Sequence, residues 1–220
     1  MKIGIIGAGH IGGTLTRRFT ALGHDVSVAN SRGPETLAAL AAETGAHAVS
    51  LSEVARGKEL VVVAIPEKSV PGLPENLFGE MAAGGVIIDT GNYYPQRDGR
   101  IDAIESGTTE SRWVAQQLGH PVVKAFNTIY AQHLQEAGRP AGEPGRIALP
   151  VAGDDPRAKS MVMRLIGELG FDAVDAGGLD DSWRQQPGTP VYGTDLDAAG
   201  TRRALAEARP ERPPEMRASR

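Results

Sequence analysis

The sequence predicts an α/β protein, a Rossmann-type doubly wound parallel sheet with a small C-terminal α/β appendage. The first observation is a short apolar run, Lys2–Ile6, followed by the glycine-rich loop at 7–12, which reads GAGHIG. The second is the helical stripe after the loop, with spacings of 4, 4 and 3 residues between Ile11, Leu15, Phe19 and Leu22. The third is a new apolar strand at 26–29, which completes a βαβ unit with the glycines at its first turn.

Further strand-like and helix-like segments alternate along the chain, which is typical of a doubly wound sheet. The helix at 34–43 is Ala/Leu-rich, and Ser50 with Glu53 forms a capping-box pattern that predicts a short helix. The segment 59–65 contains the continuous apolar run LVVVAI, as expected of a parallel strand buried on both faces. The remaining predicted elements are strands at 46–49, 85–89 and 121–126 and helices at 73–81 and 113–118.

The last third of the sequence predicts a smaller unit. Strands are expected at 146–152 and 171–176, a helix between them, and a final helix from Asp195 to about residue 208. The division is therefore a Rossmann domain at 1–145 and a small C-terminal domain at 146–208. The tail at 209–220 contains three prolines and alternating charges and is expected to be disordered.

The glycine loop predicts a dinucleotide site. Gly7 permits the tight turn, Gly9 lets the backbone approach a pyrophosphate, and Gly12 lets helix and strand pack closely. The helix that starts near His10 and Ile11 presents free N–H groups to the phosphates. The alternatives are a glycine-rich turn without a ligand and, for His10, a position on the helix surface.

The end of the second strand predicts the form of the cofactor. An NAD site carries Asp or Glu there to bind the ribose 2′-hydroxyl, whereas this chain reads Asn30, Ser31, Arg32. Arginine is always charged and can bind a phosphate with two parallel N–H bonds. We therefore predict NADP(H) as the cofactor. The alternative is that Arg32 is a solvated loop charge.

Composition excludes several other classes. The net charge of −4 argues against a nucleic-acid partner, since such proteins usually carry a basic face. The absence of cysteine excludes disulfides, thiolate zinc sites and thiol catalysis. No apolar run approaches the ~18 residues of a membrane span, and no signal peptide precedes the first strand. We expect a cytoplasmic protein without a membrane partner.

Four segments together resemble a known family: 5–12 (IIGAGHIG), 30–32 (NSR), 64–66 (AIP) and 124–128 (KAFNT). They resemble the NADP oxidoreductase, coenzyme F420-dependent family, which includes the F420:NADP oxidoreductases, and are similar to the cytoplasmic domain of the STEAP metalloreductases. The resemblance covers roughly residues 1–208. It implies hydride transfer between NADPH and a deazaflavin (F420) or flavin-like acceptor, bound between the Rossmann domain and the C-terminal domain.

Residues after three strands are candidates for the site, because ligands of open α/β sheets bind beyond the carboxyl ends of the strands. The predicted cofactor-binding residues there are Ala64, Ile65, Pro66, Asn92, Ala125 and Asn127. The asparagines can bind a carboxamide or an acceptor ring. Their alternatives are a turn residue at Asn92 and a turn or helix cap at Asn127.

The irregular segment at 177–193 predicts the acceptor side of the site. Trp183 and Tyr192, with Asn127, are the predicted acceptor-binding residues. The alternative is a surface or dimer loop, and Tyr93 with Tyr94 forms a second aromatic patch that either stacks on the acceptor or packs the loop. Direct hydride transfer needs no catalytic nucleophile or metal, and none is predicted.

Two other functions stay open at this stage. One is a non-enzymatic NADPH-binding sensor or regulatory protein that signals through a partner. The other is a truncated relative of the β-hydroxyacid dehydrogenases, which share the glycine fingerprint but add a large helical domain. We also expect a homodimer whose interface includes the region after Ala152.

Overall fold

The computed structural model describes residues 1–218 and contains a six-stranded sheet. Its strands are β1 (Lys2–Ile6), β2 (Asp25–Ala29), β3 (His47–Ala48), β4 (Leu60–Val63), β5 (Val86–Asp89) and β6 (Val123–Lys124). All neighbours are parallel, in the order β3-β2-β1-β4-β5-β6. The order reverses between β1 and β4, so a crevice opens at their carboxyl ends. The predicted fold class is confirmed.

Alternating residues of the central strands enter two apolar layers. Ile3 and Ile5 of β1 pack on one face with Leu15 and Phe19, whereas Ile6 packs on the other. Both faces are covered by helices, which explains the continuously apolar strands. The helices of this part are α1 (His10–Ala21), α2 (Ala38–Thr44), α3 (Pro95–Asp98), α4 (Asp102–Glu105), α5 (Glu110–Leu118) and α6 (Ala131–Glu136).

The C-terminal part contains a two-stranded parallel sheet, β7 (Ala148–Val151) and β8 (Asp172–Asp175), with α7 (Pro156–Glu168) and α8 (Ala198–Glu207). An antiparallel bridge between Lys124 and Ala152 joins it to β6. Val162, Leu165 and Phe171 belong to the same apolar cluster as Phe19. The C-terminal part therefore shares the core of the main sheet. None of the helices in residues 1–218 is both long and apolar enough to cross a membrane.

Three local predictions differ from the structure. The Glu53 carboxylate accepts from the Ser50 N–H (3.2 Å), which is one half of the expected capping box, but Ser50 Oγ donates to the same carboxylate and turns follow instead of a helix. Residues 73–81 also form turns, because prolines at 71 and 74 remove backbone donors there. Asp197 caps α8 through the Gly200 N–H (2.7 Å), while Asp195 pairs with His133.

The last described residues pack on the Rossmann part. Arg212 donates to Glu110 and to Gln186, and its guanidinium carbon lies 5.1 Å from the centre of the Tyr93 ring. The Ala218 N–H donates to Glu105 (2.9 Å). The disorder expected for 209–220 stays a prediction; composition does not reveal the buried carboxylate that Arg212 contacts. Residues 219 and 220 lie outside the described residues.

Candidate active site

The glycine loop has the geometry that its three glycines predict. Gly7 has φ of 97°, and a Cβ added there would lie 2.4 Å from the Ala64 carbonyl oxygen. A Cβ on Gly12 would lie 1.9 Å from the Gly7 carbonyl oxygen. A Cβ on Gly9 would meet no atom within 4 Å. Gly7 and Gly12 are thus required by packing, whereas the backbone at Gly9 borders open space.

That open space is a cleft between the glycine loop and α6. The cavity measures about 630 Å³ and is lined by Ala8, Gly9, His10, Thr14 and Arg17 on one side and by Ala131, Gln132, Gln135 and Glu136 on the other. Helix α1 starts at the cleft, and its N-cap, Gly9, has no side chain to accept from the first N–H groups. An uncapped helix N-terminus with room beside it is suited to an anion such as pyrophosphate.

The loop after β2 presents Arg32 to solvent. The Asn30 side chain accepts from the Arg32 backbone N–H (2.9 Å) and donates to Thr36 Oγ1 (2.9 Å), which holds the loop in shape. Ser31 and Arg32 are both exposed. Within residues 1–218 the Arg32 guanidinium forms no ion pair or hydrogen bond, so it is available to a bound phosphate.

The residues after β4 lie against the glycine loop. The Ala64 N–H donates to the Ile6 carbonyl (2.8 Å), and a Cβ on Gly7 would lie 2.8 Å from Ile65 Cγ2. Pro66 precedes a 3₁₀ turn at Glu67–Gly72. The structure therefore brings Ala64 and Ile65 together with the glycines. Ala125, in contrast, is fully buried in the main apolar cluster, which removes its side chain from the cofactor site.

Asn92 and Asn127 form a hydrogen-bonded pair at the carboxyl ends of β5 and β6. Asn127 Nδ2 donates to Asn92 Oδ1 (3.0 Å) and to the Gln185 carbonyl (2.7 Å). Gln185 Nε2 donates back to Asn127 Oδ1 (2.9 Å). Asn92 Nδ2 donates to the Asn127 carbonyl (3.0 Å) and approaches Tyr192 Oη (3.5 Å). Asn127 is only 4% exposed, so its amide ties the two parts of the chain together.

The backbone before Asn127 is strained. Phe126 has φ of 63°, and it is the one non-glycine residue with positive φ in residues 1–218. Its ring is fully buried in the main cluster. A bulky residue in the left-handed region costs free energy that the surrounding packing must offset, and such outliers concentrate at functional sites.

Tyr192, which approaches Asn92, lies near two other tyrosines, Tyr94 and Tyr130. The hydroxyl groups of Tyr94 and Tyr192 are hydrogen-bonded to each other. Burial raises the pKa of Tyr192, and the bond to Tyr94 adds to that shift, so the phenol keeps its proton at physiological pH. Tyr130, at the start of α6, is 60% exposed, and a Cβ on Gly193 would lie 3.0 Å from its hydroxyl.

The structure does not place Trp183 in a cavity with these residues. Trp183 lines another cavity, of about 860 Å³, formed by α4, α5, the 3₁₀ turn at Leu179–Gln185 and the tail. This cavity shares no lining residue with the cleft at the glycine loop. Asn127 and Tyr192 do not line the cavity at Trp183 either, so this cavity does not bring the three predicted acceptor-binding residues together.

Sequence reasoning missed a buried charged cluster beneath Asn92. Lys124 is fully buried and donates to Asp89 Oδ2 (3.2 Å) and to the Gly91 carbonyl. Glu67 and Glu110 are fully buried as well. Burial raises the pKa of both glutamates, and the charge of Glu110 raises that of Glu67 further. The sequence offered one signal for this cluster: Lys124 lies inside an apolar strand, and Asp89 ends the strand before it.

The fold and the glycine loop define the class: a Rossmann protein with the dinucleotide-binding fingerprint. Residues 2–93 match the family model described as NADP oxidoreductase, coenzyme F420-dependent. A hypothetical protein from Sinorhizobium meliloti has a crystal structure that is 31% identical, with a TM-score of 0.75, over 89% of this chain and 95% of that chain. The chain belongs to the NADP oxidoreductase, coenzyme F420-dependent family.

Other relatives are consistent with this assignment. A candidate F420-dependent NADP reductase from Arthrobacter sp. FB24 is 26% identical, with a TM-score of 0.66, over 81% of this chain and 85% of that chain. The metalloreductase STEAP3 of Rattus norvegicus is 28% identical over 179 residues, 81% of this chain. The protein YjhV of Escherichia coli (strain K12) is 47% identical over 70 residues, 32% of this chain. The matched regions span 51% of YjhV and 34% of STEAP3.

Proposed function

We propose that the chain is an NADPH-dependent oxidoreductase that transfers hydride between NADP(H) and a deazaflavin (F420) or flavin-like acceptor. One observation carries the cofactor assignment. The uncapped start of α1 opens onto a cleft at Gly9, and the loop after β2 presents Arg32 without an ionic partner in the described part of the chain. Pyrophosphate and 2′-phosphate are the two anionic groups that such a pair of positions can bind.

Each part of the cofactor has candidate residues. The N–H groups at 9–12 hold the pyrophosphate, and Ser31 with Arg32 holds the 2′-phosphate. Ile65 and Pro66 flank the stretch toward the nicotinamide, and Asn92 offers an amide at the strand ends. When bound, NADPH supplies the hydride. The protein then contributes orientation and exclusion of water.

We assign the acceptor wall to Asn92, Tyr94, Tyr192 and the exposed Tyr130. Both amide hydrogens and the oxygen of Asn127 are already bonded, so we infer that Asn127 positions Asn92 instead of binding the acceptor itself. The phenols offer aromatic faces and O–H donors, which suits a heteroaromatic ring with carbonyl groups. Trp183 is left out of this wall because it lines the other cavity.

The proposal is tested by following oxidation of NADPH with F420, FMN or FAD as acceptor, with NADH as the matched cofactor. We expect turnover with NADPH and at least one of these acceptors, and a preference for NADPH over NADH. Tight NADPH binding without turnover on any acceptor would instead favour the sensor function. Absence of NADPH binding would overturn both.

The assembly and location are parts of the same proposal. We propose a homodimer that includes the region after Ala152, in a cytoplasmic setting. The small-molecule hydride acceptor is its reaction partner.

A further inference from the structure

The charged cluster beneath Asn92 contains more acidic groups than basic groups. Four carboxyl groups and three basic groups form three sets of ion pairs: Glu67 and Asp98 with Arg97, which is 40% exposed, Asp89 with Lys124, and Glu110 with Arg212. If every group were ionised, the cluster would carry one net negative charge. A buried net charge is costly, and proteins usually relieve it by taking up or releasing a proton.

Two oxygen atoms of the cluster lack a hydrogen-bond donor within residues 1–218. They are Glu67 Oε1 and Glu110 Oε2, one on each of the two fully buried glutamates. The other oxygen of Glu67 accepts from Arg97 (3.0 Å), and the other oxygen of Glu110 accepts from Arg212. Each glutamate thus has one oxygen without a donor at hydrogen-bond geometry, although the Tyr93 backbone N–H also faces Glu110. A buried carboxylate oxygen without a donor is unfavourable. A single added proton would balance the charge and turn one bare acceptor into a donor.

We propose that Glu67 and Glu110 together hold one proton at neutral pH, and that this protonated pair keeps the turn at Gly91 and Asn92 in place. The two residues lie on elements that pack against each other, the 3₁₀ turn at Glu67–Gly72 and helix α5. Burial, and the negative charge of its partner, raise the pKa of Glu67; burial raises that of Glu110. The groups that face the pair are Asp89, Asp98, Arg97, Lys124 and Arg212.

The cluster contacts the turn through its backbone. Asp89 Oδ1 accepts from the Gly91 N–H (2.8 Å), Lys124 donates to the Gly91 carbonyl, and Arg97 donates to the Asn92 carbonyl. A Cβ on Gly91 would lie 2.4 Å from Glu67 Oε1, so the carboxyl occupies the space that a side chain would take. Loss of the shared proton would place an unbalanced charge directly against the turn that carries Asn92.

The pH dependence of the free energy of unfolding should report this proton. Unfolded glutamate releases its proton near the ordinary value of 4.5, whereas the folded pair retains one proton to higher pH. The folded state therefore binds one more proton in that window, and stability falls as pH rises through it. The contribution is fully present below the unfolded pKa and is lost as pH passes the raised folded pKa. For one proton, the unfolding equilibrium constant should rise about tenfold per pH unit.

The experiment compares denaturant unfolding across pH for the full chain and for Glu67→Gln, Glu110→Gln and the double variant. Either single amide supplies a permanent donor and balances the charge, so each single variant should lose the tenfold-per-unit dependence and be at least as stable as the parent at high pH. The double variant leaves one excess positive charge and should be less stable than either single variant. Glu143→Gln, an exposed carboxylate, is the matched control and should behave like the parent.

A spectroscopic measurement keeps the test valid even if a variant folds poorly. Infrared spectra of the parent at neutral pH should show the carbonyl stretch of a protonated carboxylic acid, and both single variants should lose it. Absence of that band in the parent would overturn the proposal, as would single variants that keep the parental pH dependence. A further arm rests on the proposed function: NADPH affinity should decline in the same pH window for the parent but not for Glu67→Gln. Failure of this arm alone would count against the link to Asn92 and leave the shared proton standing.

Discussion

At the scale of single residues, we expect cofactor choice to depend on Arg32. Its exposed guanidinium has no partner among residues 1–218 and follows β2, where Rossmann proteins usually recognise the ribose. Arg32→Ala should weaken NADPH binding by about 1.5–3 kcal/mol, the range for a hydrogen bond to a charged group. NADH affinity should hardly change, because NADH lacks the 2′-phosphate. Titration of both cofactors checks this, with the exposed Arg203→Ala as control; equal losses for the two cofactors would rule the assignment out.

A second residue-scale prediction separates the two aromatic candidates for the acceptor. Tyr192→Phe removes the phenol that bonds Tyr94 and lies near Asn92, so it should slow acceptor reduction tenfold or more, about 1.4 kcal/mol in the barrier. Trp183→Phe should leave the rate unchanged, because Trp183 lines the other cavity. NADPH affinity should stay within about threefold in both variants, since neither residue touches the glycine loop. The reverse ranking of rates would move the acceptor to the cavity at Trp183.

Asn127 should act through Asn92. Asn127→Ala removes three side-chain hydrogen bonds, two of which join the Rossmann part to Gln185. We expect acceptor reduction to fall tenfold or more, with NADPH affinity little changed, because the glycine loop is untouched. Single-turnover kinetics measure this. Parallel loss of cofactor binding and of folding stability would show a purely structural role.

At the scale of elements, the turn from β1 to α1 offers a matched pair of glycines. Gly12→Ala places a Cβ 1.9 Å from the Gly7 carbonyl oxygen, so it should destabilise the fold by at least about 1–3 kcal/mol, as overpacking does. Gly9→Ala meets no atom within 4 Å and should fold normally. Its methyl group enters the space assigned to the pyrophosphate, so NADPH should bind about tenfold more weakly, about 1.4 kcal/mol. Denaturant unfolding and NADPH titration distinguish the two variants; unimpaired NADPH binding by Gly9→Ala would argue against this cleft.

The side chain of Arg18 bridges three helices, α1, α6 and α7. Arg18 of α1 donates to the Gln135 carbonyl of α6 (3.0 Å) and to the Leu169 carbonyl at the end of α7. These bonds satisfy carbonyl groups that a helix end leaves without partners. The wall of the cleft formed by α6 is thereby fixed relative to the glycine loop, which preorganises the candidate site.

At the scale of the whole molecule, the tail stabilises the fold through Arg212. Its guanidinium pairs with the fully buried Glu110. Arg212→Ala should cost about 3 kcal/mol, the lower end for breaking a buried ion pair, because Glu110 can take up a proton. Chemical denaturation measures the loss, with the exposed Arg209→Ala as control. Equal stability of the two variants would show that the tail contributes nothing.

The assembly is also a whole-molecule prediction. A homodimer that uses the region after Ala152 should bury at least about 1,000 Å² in total. Light scattering over a range of protein concentrations checks the mass. A monomeric mass at the highest concentration would exclude the dimer.

The sequence by itself determined the sheet and the cofactor-binding loop, because both depend on local patterns. Apolar strands buried on two faces and glycines at a fixed spacing require only neighbouring residues to be recognised. The placement of Asn30 and Arg32 after β2 followed from the same repeat. Short elements such as α3, α4 and α6 gave no comparable periodic signal and were not predicted.

Only the tertiary structure decided which distant residues meet. Asn127 and Gln185 are 58 positions apart, and Arg212 lies 102 positions from Glu110. Such contacts depend on how the C-terminal part docks on the sheet, which no local pattern encodes. The fold also places Trp183 in a cavity that Tyr192 does not line, and it buries both Glu67 and Glu110. Burial changes the cost of charge, so the chemistry of these carboxyl groups is a property of the folded molecule and not of their sequence neighbours.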